Sequence, residues 1–317
     1  MRYAPAFGKL KCIIALLKVR SCLIFFCSLP LPFLAQQQFS VYEDSLVHLQ
    51  KELYHSKTDK DKLLLNTRLK AMFERTLRLE GSFNFAFDSL REIGRIYSPD
   101  KTFRIINWDV LKEDASHEYY GFIQAYDEKH KRYNLYPLAD KSADIKNPES
   151  TVGDMNKWYG MLYYKIIPIT SNRKKYYTLF GLDPNDKLTT KKIIDILYFA
   201  PDGTPRFGAD LFKMEKKFPK RVVFEYSADL VMSLKYNEAA KQIVFDHLSP
   251  SDSRFEGQFQ YYGPDFSFDA LEFKKGKWNY VSDIDARNGK SPGDNKYHDP
   301  KHTEKEHQNK KLYGPKK

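Results

Sequence analysis

The side chains able to do chemistry in this 317-residue chain are few and scattered. Its histidines are His48, His55, His117, His130, His247, His298, His302 and His307. His48 and His55 stand seven apart in a helical pattern and share one face, where solvated rim packing is the expected role. His298, His302 and His307 form a loose tract of the kind that holds metal weakly. The segment "DPNDKLTT" gathers Asp183, Asn185 and Asp186, the oxygen chemistry a calcium loop uses. A calcium loop of the EF-hand kind also needs glycine at its sixth position and glutamate at its twelfth. Leu188 and Ile194 stand there, so a strand-joining turn is expected. Asp109, Glu225, Asp246, Asp269 and Glu272 lie in or beside aromatic stretches, and Asp283 and Asp285 form a close pair. Paired carboxylates cleave glycosides only at separations of about 5–9 Å, a distance that sequence spacing does not define.

Several chemistries lack their residues. No glycine-rich phosphate loop is present, and no strand–turn–helix serine elbow. Cys12, Cys22 and Cys27 are the three cysteines, all close to the amino terminus. Beyond them the chain has no thiolate to offer as nucleophile or metal ligand. No cofactor is therefore expected, no metal centre, and no catalytic residue can be assigned.

The amino terminus reads as an export signal. Residues 1–35 hold five basic side chains and no acidic one, then an apolar run of about 14 residues, Ser21–Leu34, closed by Ala35 and three glutamines. Basic start, short apolar middle and small residue before a polar stretch is the order of a secretory signal. A membrane span needs roughly 20 apolar residues, and Pro30 and Pro32 would break its hydrogen bonding. Cleavage is expected after Ala35, leaving no stable membrane span. The formal charge of the chain is +11. The leader carries +5 and the tail 286–317 another +5, so the body is nearly neutral. A nucleic-acid-binding domain concentrates positive charge on its folded body, and no nucleic-acid partner is expected.

The elements follow from periodicity. "DSLVHLQKELYH" places Leu46, Leu49 and Leu53 on one helical face, and "DKLLLNTRLKAMFERTLRLEG" repeats Leu65, Leu69, Met72, Phe73, Thr76 and Leu79. A third, shorter helix is expected over "NFAFDSLREIGRIYSP". After Pro99 the period changes to short aromatic and β-branched runs separated by charged turns, about twelve candidate strands between Thr102 and Val281. Pro168 marks an edge strand or a bulge. Pro201-Asp202-Gly203 and Lys275-Gly276 mark turns. The fold class expected is α+β, with amphipathic helices followed by a mainly antiparallel β body built as a meander, sandwich or barrel. The divisions are 1–35 signal peptide, 36–99 helical segment, 100–285 β-rich domain and 286–317 disordered basic tail.

"LDPNDKLTTKKIIDILYFAPDGTPRFG" and "YYGPDFSFDALEFKKGKWNYVSDIDARN" resemble exported proteins of Bacteroidetes-type bacteria that have no assigned activity, over roughly residues 100–290. The resemblance implies a periplasmic, outer-envelope or extracellular location. It supplies no catalytic residues. With 22 tyrosines and 23 phenylalanines, the β body suits a non-enzymatic binding or structural protein whose partner is a glycan, a peptide or an envelope component. A hydrolase acting on polymer and a small-molecule carrier with a barrel cavity are the alternatives.

Overall fold

The computed structural model describes residues 31–284, and side chains from Phe39 onward. Most of the expected signal peptide and the whole of the expected tail, with Asp285 and His298, His302 and His307, lie outside the described residues.

Two helices open the fold, α1 (Leu31–His55) and α2 (Asp59–Leu77). The expected cleavage point after Ala35 falls within α1. Thr58 caps α2 by accepting a hydrogen bond from the Asp61 amide at 3.2 Å, while Asp59 and Asp61 favour the positive end of the helix. Leu46 and Leu53 of α1 and Leu69, Phe73 and Leu77 of α2 are buried together. No helix among the described residues is long and apolar enough to cross a membrane.

The expected third helix is absent, and this corrects the reading of 84–99. A 3₁₀ turn (Ser82–Asn84) leads into irregular chain and then strand β1 (Gly94–Tyr97). Two arginines take the carbonyls a helix would need. Arg104 donates to Ser82 O and Phe85 O, both at 2.8 Å, and Arg95 donates to Phe87 O and Leu90 O. Phe83, Phe87 and Leu90 recur at helical spacing and are buried, but the backbone around them closes only isolated turns, Phe85 N–H on Ser82 O and Leu90 N–H on Phe87 O, beside the arginine contacts.

Three open sheets follow. Sheet I has the order β1-β2-β3-β4, with β2 (Phe103–Leu111), β3 (His117–Asp127) and β4 (Arg132–Ala139). Sheet II has the order β5-β9-β8-β7-β6. Its long members are β6 (Leu162–Ser171), β7 (Lys174–Asp183) and β8 (Thr189–Phe199), beside the short β5 (Gly153–Asp154) and β9 (Pro205–Phe207). Strand β11 (Val222–Ser227) pairs with the first half of β8 and β9 with the second. Sheet III has the order β10-β15-β14-β13-β12. It comprises β10 (Phe212–Lys213), β12 (Leu234–Asn237), β13 (Gln242–Pro250), β14 (Tyr262–Lys274) and β15 (Lys277–Val281). Strand pairing is antiparallel except for β10 beside β15. The class is α+β as expected, and the sheets do not close into a barrel.

The layers stack as helices, sheet I, sheet II, sheet III. Ile106, Trp108 and Phe122 of sheet I meet the helices. Phe103, Ile105 and Ile123, on its other face, meet Tyr163, Leu179 and Ile193 of sheet II. Ile194, Ile196 and Phe180 then face Ile243, Leu271 and Trp278 of sheet III. Strands covered on both faces tend to continuous apolar runs; Ile193–Leu197 of β8 is such a run, interrupted by Asp195, which is buried against Arg221. Pro168 lies on β6, the edge strand of sheet II, in regular register with Tyr177, so the edge alternative holds; the strand's register shift is elsewhere, between Tyr163 and Lys165. The Pro201-Asp202-Gly203 turn closes with Gly203 N–H on Ala200 O at 2.8 Å and Gly203 at φ 82°.

Candidate functional site

Sheets I and II diverge at one end, and a cleft of about 970 Å³ opens between them. Two smaller depressions, of about 360 and 400 Å³, lie elsewhere on the surface. The cleft is assembled from strand ends: the close of β3 with its turn into β4, the start of β7, and the turn from β8 to β9. Tyr136 of sheet I and Tyr177 and Phe199 of sheet II point into it. Tyr126, Tyr176 and Tyr198 border it at the rim: alternation sends Tyr126 to the helix side of sheet I, 5.1 Å from Tyr133, and Tyr176 and Tyr198 to the sheet III side of sheet II, 5.5 Å apart and tilted by 57°. Phe103 is fully buried behind the wall and meets Tyr177 edge-on at 4.7 Å and Phe199 at 5.4 Å. Tyrosine exposes a flat apolar face and a polar tip at low entropic cost, as binding surfaces require.

The polar groups around the cleft are held in place by their own neighbours. Tyr177 donates to Asp100 Oδ2 at 2.8 Å, and Lys175 pairs with the same carboxylate. Burial pushes the Asp100 carboxyl up, but hydrogen bonds from Lys175, Ser98, Tyr177 and Thr102 together carry it below its usual value. Asp127 Oδ2 meets His130 Nδ1 at 2.7 Å and accepts from Asn134 at 3.0 Å, while Oδ1 accepts from the Lys129 and His130 amides. The His130 side chain and amide are the main causes that bring the Asp127 carboxyl down to about 2. Asp202 accepts from the amide and hydroxyl of Thr204, which lower it. Arg206 donates to Asp154 at 2.9 Å. A general acid for glycoside cleavage needs a carboxyl raised by its surroundings. Asp100, Asp127 and Asp202 are instead lowered, each holding a turn or an ion pair.

Of the acids and histidines singled out in the sequence, His130 borders the cleft, and the others among the described residues are placed elsewhere. His117 Nδ1 meets Asp109 Oδ2 at 2.5 Å at the far end of β2 and β3. His247 Nδ1 meets Asp269 Oδ2 at 2.7 Å on sheet III, where Tyr280 donates to the same oxygen and the Asp283 amide to Oδ1. Glu225 accepts from Thr189 at 2.8 Å, Asp246 from the Ser233 amide at 2.7 Å and Glu272 from Gln242 at 2.6 Å. His48 lies 3.4 Å from Glu52 on exposed α1, and His55 binds Lys51 O. Asp183, Asn185 and Asp186 form the β7–β8 turn, as expected. Buried Asp183 accepts from the Tyr119 hydroxyl and the Asn185 amide, and Asp186 accepts from Leu188 and Thr189. Among the described residues no group of three or more His, Cys, Asp or Glu side chains is arranged to hold a metal.

The tyrosine and phenylalanine content points to a binding body without locating its site. Tyr126, Tyr136, Tyr176 and Tyr198 come from four strands, and only "KKYYT" and the Asp127–His130 spacing carry a local trace of the site. The fold and the cleft define a layered α+β protein with an open, tyrosine-walled surface cleft. The chain matches no family model, no curated protein and no solved structure.

Proposed function

We propose that this is an exported, non-enzymatic binding protein whose β body holds its ligand in the tyrosine-walled cleft. The cleft carries the reading. It is large, its aromatic walls are braced from behind by Phe103, and its carboxylates are engaged in turns and ion pairs. A glycan and an extended peptide are the two ligands that flat, polar-tipped walls accommodate. Asp100, Asp127 and Asp202 are held low by their hydrogen bonds, which disfavours the hydrolase alternative, and the open sheets disfavour a barrel carrier. Export rests on the amino-terminal pattern and on the resemblance to exported bacterial proteins.

Calorimetric titration of the folded chain with soluble oligosaccharides and peptides tests the binding. At least one ligand is expected to bind, with Tyr136→Ala, whose ring points into the cleft, weakening it by roughly tenfold, the usual loss at an aromatic contact. A ligand that binds equally well to that variant would remove the cleft from the account. Mass spectrometry of protein from its native host tests export, and an abundant form containing Met1 would count against it.

A further inference from the structure

Strand β4 ends sheet I on the side of the cleft. Its last residue, Ala139, points both backbone groups away from β3. The Ala139 N–H donates to Met155 O at 2.8 Å, and Ala139 O accepts from Trp158 N at 3.1 Å. Alternate residues of a strand face the same way, so Pro137, Leu135 and Tyr133 also turn outward. Nothing among the described residues pairs with the N–H groups of Tyr133 and Leu135 or the carbonyls of Tyr133, Leu135 and Pro137. The bare edge runs about 16 Å, room for roughly five residues of a partner strand.

Side chains sort to two sides of this edge. Asn134 and Tyr136 face the cleft. Leu135 packs toward the helices, and Tyr133 stacks on Phe83 at 4.0 Å. A strand laid against β4 would drop every second side chain into the tyrosine cleft and pass the others over Tyr133 and Leu135. Charge selects the occupant further. Lys175, Arg206, Lys131 and His130 are paired with Asp100, Asp154, Glu128 and Asp127. Lys129, Arg132 and Lys174 meet no carboxylate among the described residues.

We infer that the ligand of the cleft is an extended, acidic polypeptide segment that adds to the β4 edge as a fifth strand of sheet I. Main-chain hydrogen bonds to Tyr133 and Leu135 supply affinity, and the cleft reads alternate side chains, the general logic of strand addition. A saccharide has no backbone to complete this ladder. The inference rests on the cleft reading above and narrows it to one class of ligand.

The test uses the full chain and a display library of random twelve-residue peptides. Enriched clones are expected to be rich in Asp and Glu. A synthetic peptide made from one of them should slow amide exchange at Tyr133 and Leu135 at least tenfold. N-methylating its alternate amides in one phase should weaken binding at least tenfold, while the other phase changes it less than twofold. A peptide or oligosaccharide whose binding is lost in Tyr136→Ala, with both amides exchanging as in the free protein, overturns strand addition and leaves the cleft reading standing. A library with no enriched clone, together with no oligosaccharide binding, removes both.

Discussion

Arg104 is fully buried without a carboxylate partner. Its guanidinium donates to Gln124 at 2.8 Å, to Ser82 O and Phe85 O, and to Tyr97 Oη at 2.9 Å. Phe83, Phe87 and Tyr97 rings lie 5.3–5.6 Å from it. Burial lowers its pKa, yet arginine stays charged, so these partners must compensate the lost hydration. Arg104→Ala is expected to cost about 3–5 kcal/mol, read by urea unfolding, because it strands several buried acceptors at once. Amide exchange over 82–93 should rise more than elsewhere, since that segment is the one it ties down. Asp127 has a signed pH consequence. Its carboxyl ordinarily titrates at 3.8 and is brought to about 2 in the fold. A depressed carboxyl stabilises above its unfolded value and loses that contribution as pH falls through the folded one. The stability gap between the native chain and Asp127→Ala should narrow as pH falls from about 5 toward 2; a gap that widens there would contradict the hydrogen bonding described.

Turn chemistry decides how the β elements meet. Lys275 and Gly276 both have positive φ, 51° and 76°, the geometry of a two-residue hairpin turn between β14 and β15. A Cβ on Gly276 would come 2.8 Å from Ser171 Oγ, across the end of β6. Gly276→Ala is therefore expected to destabilise by about 1–2 kcal/mol through strain and contact together. Thermal melting measures it. The same residue pair was legible in the sequence, as was Pro201-Asp202-Gly203, because steric limits on proline and glycine act locally. The segment 84–99 was not legible. Its apolar spacing suits a helix, but Gly94–Tyr97 pairs with β2 and Arg104, from that strand, takes carbonyls at its start, partners that no local pattern announces.

The whole molecule is held by its stacked layers. Trp278 of sheet III donates its indole N–H to Thr178 Oγ1 of sheet II at 2.9 Å, both fully buried. Thr178→Val keeps the volume and leaves that donor unpaired, a loss of about 1–3 kcal/mol. The deficit should appear equally in near-ultraviolet and far-ultraviolet unfolding curves if the layers unfold together. Separate midpoints would show that sheet III melts alone.

Residue types and their order alone determined the two helices, the alternation of strands and the turn character of "DPNDKLTT". Each of these follows from contacts within a few residues. Only tertiary structure decided that Tyr126, Tyr136, Tyr176 and Tyr198 share a cleft, that His130 holds Asp127 while His117 and His247 hold other aspartates, and that β4 keeps a bare edge. Those arrangements depend on which strands become neighbours. Strand pairing is chosen by burial summed over the whole chain, and no short stretch of residues encodes it.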